Sequence, residues 1–315
     1  MRKNRKRKKK PFAWWAVLFT LMLTAFTGYV LLEAFVIPQT YAVVASSDSS
    51  SASADTSSEN SSDDSDTASA ETVITDTSYD DGSISITIST YRVDGTTVYV
   101  ADITLTNADD LLTAFASDTY GKNITENTSV IAAANDAILA INGDYYSARS
   151  GYVIRNGVLY RSTSSDSTQE DLVIYEDGTM EIITEGDVTA AQLLADGAVQ
   201  VLSFGPGLVE DGKISVTTSE EVDKAMTSNP RTAIGMIDDL HYVMVVADGR
   251  TSESAGLSLY ELAEFMQSEL DVTLAYNLDG GGSSTMYFNG EVINNPTTNG
   301  TTIQERSVSD IVYIQ

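Results

Sequence analysis

Apolar runs of about four to eight residues, each stopped by Gly, Asn or Asp, recur from Ile84 to Ile314. Such a chain can form little besides short strands joined by tight turns. Ile84, Ile86 and Ile88 alternate with Ser85, Thr87 and Ser89, the pattern of a half-buried strand. The run from Val98 to Leu105 follows the turn Val93-Asp94-Gly95-Thr96 and pairs back as a hairpin. Leu172 to Tyr175 and Met180 to Ile183 flank Glu176-Asp177-Gly178 in the same way. Ala137 to Ile141, Ala233 to Ile237 and Tyr242 to Ala247 have no polar interruption, which suits strands covered on both faces.

Helical patterns are few. Ser258 and Glu261 form a capping box. Leu259, Leu262, Ala263, Met266 and Leu270 then share one face of a helix over 258–270. Shorter helices are expected over 189–195, stopped by Gly197, from Ser129 through Ala134, and over 109–116. The expected class is α+β: mixed β-sheet or sheets with a few flanking helices, preceded by one transmembrane helix.

That preceding segment has its own logic. Residues 1–11 are a basic tail, and Phe12 to Leu32 follows with 21 residues free of charge. This length crosses a bilayer, and Trp14 and Trp15 sit where an interfacial belt belongs. Residues 12–37 therefore read as a signal-anchor in the cell membrane. Lys and Arg on its N-terminal side keep that end cytoplasmic and place the C-terminal domain outside. A cleaved signal peptide is the competing reading, and Thr40-Tyr41-Ala42 offers a cleavage site. The apolar run, however, exceeds the usual core of about 7–15 residues. Residues 38–79 are rich in Ser, Asp and Thr, cannot bury a core, and read as a disordered spacer. Residues 80–315 form the folded domain.

Composition narrows the chemistry. The chain has no cysteine, which removes disulfides, thiolate metal sites and Cys nucleophiles. Its one histidine, His241, opens an apolar run, and no nucleophile-elbow motif supports a Ser-His-Asp triad. Eight of the 18 Lys and Arg fall in residues 1–10, leaving ten against 45 acidic residues. So acidic a domain repels nucleic acid. Nothing in the sequence sets an oligomeric state.

Against that acidity, Arg149, Arg155, Arg231, Arg250 and Arg306 stand out, each beside a polar strand end. Arginine grips phosphate or carboxylate with a bidentate fork. Carboxylates Asp144, Asp248 and Asp279 hold similar positions. Arginines with carboxylates and no histidine suit cleavage of a glycosyl bond to an anionic group. The densest motif is Asn277-Leu278-Asp279-Gly280-Gly281-Gly282-Ser283-Ser284-Thr285, lying between two apolar runs that read as strands leaving and re-entering the core. Three glycines are costly to order, so a ligand-binding loop is favoured over a plain turn.

The residues Asn142-Gly143-Asp144-Tyr145-Tyr146, Pro230-Arg231-Thr232-Ala233-Ile234-Gly235, Asp248-Gly249-Arg250, Asn277 to Thr285, and Glu305-Arg306-Ser307-Val308-Ser309 resemble, in order, the motifs of the phosphodiester glycosidase family. Bacterial members of that family are associated with exopolysaccharide synthesis. The resemblance covers about Ala137 to Gln315 and implies hydrolysis of a sugar-1-phosphodiester. It departs at Asp144, where the animal sequences resemble Asn-Gly-Gly-Phe-Phe. On this reading Asp279 is nucleophile or general base, Asp248 the second carboxylate, and Arg231 and Arg306 hold the phosphate. Asn142, Asp144, Arg250 and Asn277 would contact substrate. Gly280, Gly281 and Gly282, with Ser283, Ser284 and Thr285, would form a nest for phosphate oxygens. The substrate would be a phosphodiester-linked glycan, cell-surface or secreted, and no cofactor is expected to be required. Two alternatives stay open: a non-catalytic module that binds a phosphorylated or acidic glycan, and a Ca²⁺ or Mg²⁺ site on Asp144, Asp248 and Asp279.

Overall fold

The computed structural model describes residues 14–43, 72–219 and 228–315. The basic tail and most of the expected spacer, residues 44–71, lie outside the described residues. The chain divides into two units, Met1–Gln39 and Thr40–Gln315. In the first, Trp14–Phe35 is a 22-residue helix, mostly exposed, with mean hydropathy reaching 1.9. At about 1.5 Å per residue it is long enough to cross a bilayer core of about 30 Å.

Strands in the second unit begin earlier than the expected boundary at residue 80. Val73–Thr75 and Ser78–Asp80 pair with each other, and Ser78–Asp80 pairs with Ile84–Val93. The expected boundary at residue 80 therefore falls within a group of paired strands. These strands open one edge of a nine-stranded sheet. It continues through Thr96–Leu105, His241–Ala247, Arg231–Asp238, Leu274–Asn277 and Gly207–Glu210 to Lys213–Ile214. A five-stranded sheet runs Glu291–Val292, Met286–Phe288, Leu139–Asn142, Asp310–Ile314, Leu111–Phe115. A second five-stranded sheet runs Val158–Arg161, Val153–Arg155, Ala198–Leu202, Glu170–Tyr175, Met180–Thr184. The pairings within these three sheets are antiparallel.

The three sheets turn one face each into a common core. Ile86, Ile103, Met244 and Tyr276 meet Leu139, Ile141 and Val312 from one five-stranded sheet and Leu172 and Leu202 from the other. Each opposite face is covered by one short helix. Leu259–Glu269 lays Leu259, Leu262, Ala263 and Met266 on Val98, Ala233, Val245 and Ala275. Thr128–Ala134 covers Ala140 and Ile311 with Ile131 and Ala132. Ala190–Ala195 covers Val173 and Val201 with Ala190 and Leu193. Covering on both faces is what lets Tyr242 to Ala247 be apolar at every position. The α+β class expected from the sequence is the one found.

The helix expected over 109–116 is mostly a strand. Ala108–Asp110 makes one 3-10 turn, and Leu111–Phe115 then pairs with Asp310–Ile314. Leu111, Thr113 and Phe115 are buried at a period of two, and the long-range pairing overrides a weak local pattern. His241 Nε2 lies 2.9 Å from Asp102 Oδ1 on the neighbouring strand, an interstrand role.

One buried group couples the fold to pH. Asp171 is fully buried and neither carboxylate oxygen has a hydrogen-bond partner. Burial, reinforced by the charge of Glu185, pushes it up to about 9. A carboxyl raised on folding contributes most stability below its unfolded value near 3.9, and that contribution is lost as pH rises toward 9. Thermal melts should therefore show a midpoint falling from about pH 5 to about pH 9, and Asp171→Asn should flatten the slope by several degrees. An unchanged slope in the variant would contradict this account of the burial.

Candidate active site

The glycine loop does not close a hairpin. Its entering strand, Leu274–Asn277, belongs to the nine-stranded sheet, and its leaving strand, Met286–Phe288, belongs to a five-stranded one. The loop thus bridges two sheets and is tied to both. Leu278 N donates to Thr232 O at 2.9 Å and Asp279 N to Gly143 O at 3.3 Å. Asn142 Nδ2 donates to Asp279 O at 2.6 Å, while its Oδ1 accepts from Thr232 Oγ1 at 2.8 Å and from Thr285 N at 3.3 Å. Asn142 is a buried brace between three strand ends.

The same packing accounts for the glycines. A Cβ at Gly280 would stand 2.9 Å from Pro230 O, and one at Gly282 2.4 Å from Thr298 Oγ1. Gly281 has φ +63°, and its Cβ would meet Arg250 Nη2 at 2.8 Å. Close approach of this loop to its own neighbours requires them. Of the three glycine N–H groups expected to form a nest, that of Gly281 is already committed within the protein. Gly281 N donates to Pro230 O, Ser283 N to Gly280 O and Ser284 N to Gly281 O. Ser284 and Thr285 hydroxyls are buried without partners.

Asp279 is the loop's chemical group. Its Oδ2 accepts from Ser283 Oγ at 2.6 Å and from Arg306 Nη2 at 2.8 Å, and Arg306 Nε donates to Ser283 Oγ at 3.0 Å. This clamp fixes one carboxylate oxygen. Oδ1 takes no hydrogen bond from the described residues and is not among the sealed polar atoms. Burial raises the Asp279 carboxyl above its ordinary value, with the Arg306 charge and the Ser283 hydroxyl opposing.

Asp279 lines a cleft of ≈ 320 Å³. Around it stand Arg149, Arg231, Arg250 and Arg306, with Tyr145, Phe204 and Asn229 between them. Arg231 opens its strand, is buried, and donates through Nε to Leu257 O at 2.9 Å. Arg250 adopts φ +63° and donates to Thr298 O at 2.7 Å and to Asn229 Oδ1 at 3.2 Å. Burial and the neighbouring Arg306 charge lower its pKa, the sign of cations held close together. Arg149 stacks over the Phe204 ring at 4.2 Å, and Arg306 lies 5.9 Å from the Tyr145 ring centre. Four guanidinium groups around one carboxylate make an anion-binding surface.

Several expected site residues stand elsewhere. Asp248 accepts from Asn294 Nδ2 at 3.2 Å and from Asn295 N and Nδ2, both at 2.9 Å. It anchors the segment that leads to Arg306 and is not among the residues lining the cleft around Asp279. Asp144 and Arg155 are fully buried against each other at 2.9 Å, so neither contacts the cleft. Asn277 donates to Gly205 O at 2.8 Å, a packing role. Among the described residues no group of three or more Asp, Glu or His is gathered where it could hold a metal ion. Asp144, Asp248 and Asp279 have separate surroundings, so they do not fit a shared Ca²⁺ or Mg²⁺ site. Tyr145 belongs to the motif Asn142 to Tyr146 without having been expected to line a site, and Phe204 and Asn229 carry no site motif. Phe204 and Asn229 each stand just before a Gly-Pro or Pro motif at a strand end, the only local sign they carry.

Known proteins resemble the chain in sequence and in fold. The chain is 31% identical over 184 residues to the SPbeta prophage-derived uncharacterized protein YomE of Bacillus subtilis, covering 57% of this chain and 28% of that protein. It is 33% identical over 183 residues to N-acetylglucosamine-1-phosphodiester alpha-N-acetylglucosaminidase of Homo sapiens, covering 53% of this chain and 35% of that one. The chain thus spans about a third of the length of these relatives. The catalytic domain of the zebrafish enzyme of that name, auto-inhibited by its pro-peptide, superposes with a TM-score of 0.59 at 22% identity, covering 74% of this chain and 82% of that domain. A hypothetical protein from Synechocystis superposes with a TM-score of 0.53 at 14% identity, over 74% and 62% of the two chains. Both superpositions speak to the fold. Residues 135–315, more than half of the chain, match the phosphodiester glycosidase family, and the chain belongs to it.

Proposed function

We propose that this chain is a membrane-anchored phosphodiester α-glycosidase whose domain faces outward and cleaves sugar-1-phosphodiester bonds in envelope or secreted glycans. The observation that carries the reading is Asp279, clamped through Oδ2 by Ser283 and Arg306 inside the arginine cleft. The exposed apolar helix Trp14–Phe35 behind a basic segment supports the anchor. The substrates would be teichoic-acid-like or capsular polymers that contain a sugar-1-phosphodiester.

The chemistry needs only one carboxylate. The anomeric C–O bond breaks with its electron pair leaving on the phosphate oxygen, so a phosphomonoester departs without strong acid assistance. Arg231, Arg250 and Arg306 stabilise that anion as it forms. Asp279 Oδ1 takes the proton of the attacking water as general base, and the water oxygen bonds to the anomeric carbon. The proton then passes to solvent.

Two results test this. In ¹⁸O-labelled water the label should enter the released sugar and leave the phosphomonoester unlabelled; label on phosphorus would overturn C–O cleavage. The acid limb of kcat/KM should fall above the ordinary aspartate range, because Asp279 must be ionised to act and burial raises it. Activity that holds constant down through pH 4 would contradict that assignment.

A further inference from the structure

Three ionic side chains buried behind the cleft join its walls. Asp144, Arg155 and Asp310 have almost no exposure. Arg155 Nη2 donates to Asp144 Oδ1 and to Asp310 Oδ2, each at 2.9 Å. Its Nη1 donates to Ile154 O at 3.0 Å and to Val201 O. Each carboxylate is tied to a different wall. Asp144 precedes Tyr145 in the chain, and its Oδ2 accepts Ser203 N at 2.7 Å, directly before Phe204. Asp310 packs on Gly143, where a Cβ would stand 2.5 Å from Asp310 Cγ. Gly143 N donates to Asp310 O at 2.9 Å, and Gly143 O accepts Asp279 N at 3.3 Å. Tyr145, Phe204 and Asp279 come from segments distant in sequence, yet all three lead back to one guanidinium.

Two carboxylates share that one cation, so the triad buries an excess negative charge unless it holds a proton. Burial pushes Asp310 up to about 7, and the Asp144 charge adds to the shift. Burial works against Asp144 as well, but the Arg155 guanidinium and the Ser203 N–H hold it below the usual carboxylate range. The other titratable groups facing the pair are Tyr146 from the turn after Leu139–Asn142, Asp171 from Glu170–Tyr175, and Tyr276 from Leu274–Asn277.

We infer that Asp144, Arg155 and Asp310 are positioning residues: through one shared guanidinium they set where Tyr145, Phe204 and Asp279 stand relative to one another, and loss of their shared proton loosens that setting. The kinetic part rests on the hydrolase reading above; the structural part does not.

The test uses the full chain as wild type, Arg155→Met, Arg155→Lys and Asp310→Asn. Turnover of a chromogenic sugar-1-phosphodiester and backbone amide exchange are followed from about pH 5.5 to about pH 8.5. Arg155→Met should lose about 100-fold in kcat with KM within about threefold. Exchange should rise together in residues 202–204 and 278–280. Arg155→Lys should recover about tenfold of the lost kcat by restoring the charge without the fork. Asp310→Asn, uncharged and nearly isosteric, should keep kcat within about threefold near pH 6 and abolish the loss of protection that wild type shows toward pH 8. Exchange that is unchanged in Arg155→Met, or that rises in one segment alone, overturns the inference. So does a loss carried wholly by KM. Where Arg155→Met fails to fold, Asp310→Asn decides: a pH dependence of exchange equal to wild type overturns it. A wild type that exchanges as expected but turns nothing over defeats the hydrolase reading and leaves the positioning role standing.

Discussion

Asp279→Asn should lower kcat on a sugar-1-phosphodiester by about 10³-fold, within the range general-base catalysis contributes, with KM nearly unchanged. The amide keeps the size of the carboxylate, and its oxygen still accepts from Ser283 Oγ and Arg306 Nη2, so the loop keeps its place. It cannot take a proton from water. The expected signature is a lost kcat in a protein whose thermal midpoint is unmoved or slightly raised, since a buried carboxyl with a raised pKa is replaced by a neutral group. Steady-state kinetics and a thermal melt on the same preparation give both numbers. Turnover within about tenfold of wild type would remove Asp279 from the chemistry.

Gly143→Ala should strongly destabilise the domain. The added Cβ would lie 2.5 Å from Asp310 Cγ and 2.6 Å from both carboxylate oxygens. Asp310 cannot yield, because it is held by Arg155 at 2.9 Å in a fully buried setting. Overpacking of this kind costs about 2–3 kcal/mol, here expected at the upper end, or about 5–10 °C in a domain of this size. Denaturant melts check it. A loss below about 0.5 kcal/mol would mean that the turn can shift freely, which the packing denies.

Much of the fold is legible where local chemistry decides the element. The capping box of Ser258 and Glu261, the turn Glu176-Asp177-Gly178 and the unbroken run Ala137 to Ile141 each specify structure from a few neighbouring residues. Residues 109–116 escape that reading because Leu111–Phe115 is a strand only by virtue of its partner, Asp310–Ile314, almost 200 residues away. The division into three sheets is equally remote from local pattern, since it depends on the loop after Asn277 leaving one sheet for another.

The site divides the same way. Arg231, Arg250, Arg306 and Asp279 sit on motifs at strand ends, and the structure brings those ends together around the cleft. Asp144 and Arg155 look like site residues because a buried ion pair and a ligand-binding pair have the same composition. Only the approach of Asp310 shows which one this is. Asp248 is misleading for a similar reason: its partners, Asn294 and Asn295, are 46 and 47 residues further on. The glycines point to close approach, and the structure supplies the neighbour as Pro230, Arg250 and Thr298.

Whether the arginine cleft around Asp279 breaks a glycosyl–phosphate bond is decided by incubating the wild-type chain with a defined sugar-1-phosphodiester and quantifying both products. Free sugar and phosphomonoester should be released in equal amounts, and release by Asp279→Asn should be about 10³-fold slower. Saturable binding of the phosphodiester with no product over many hours would contradict it and identify the cleft as a glycan-binding site instead.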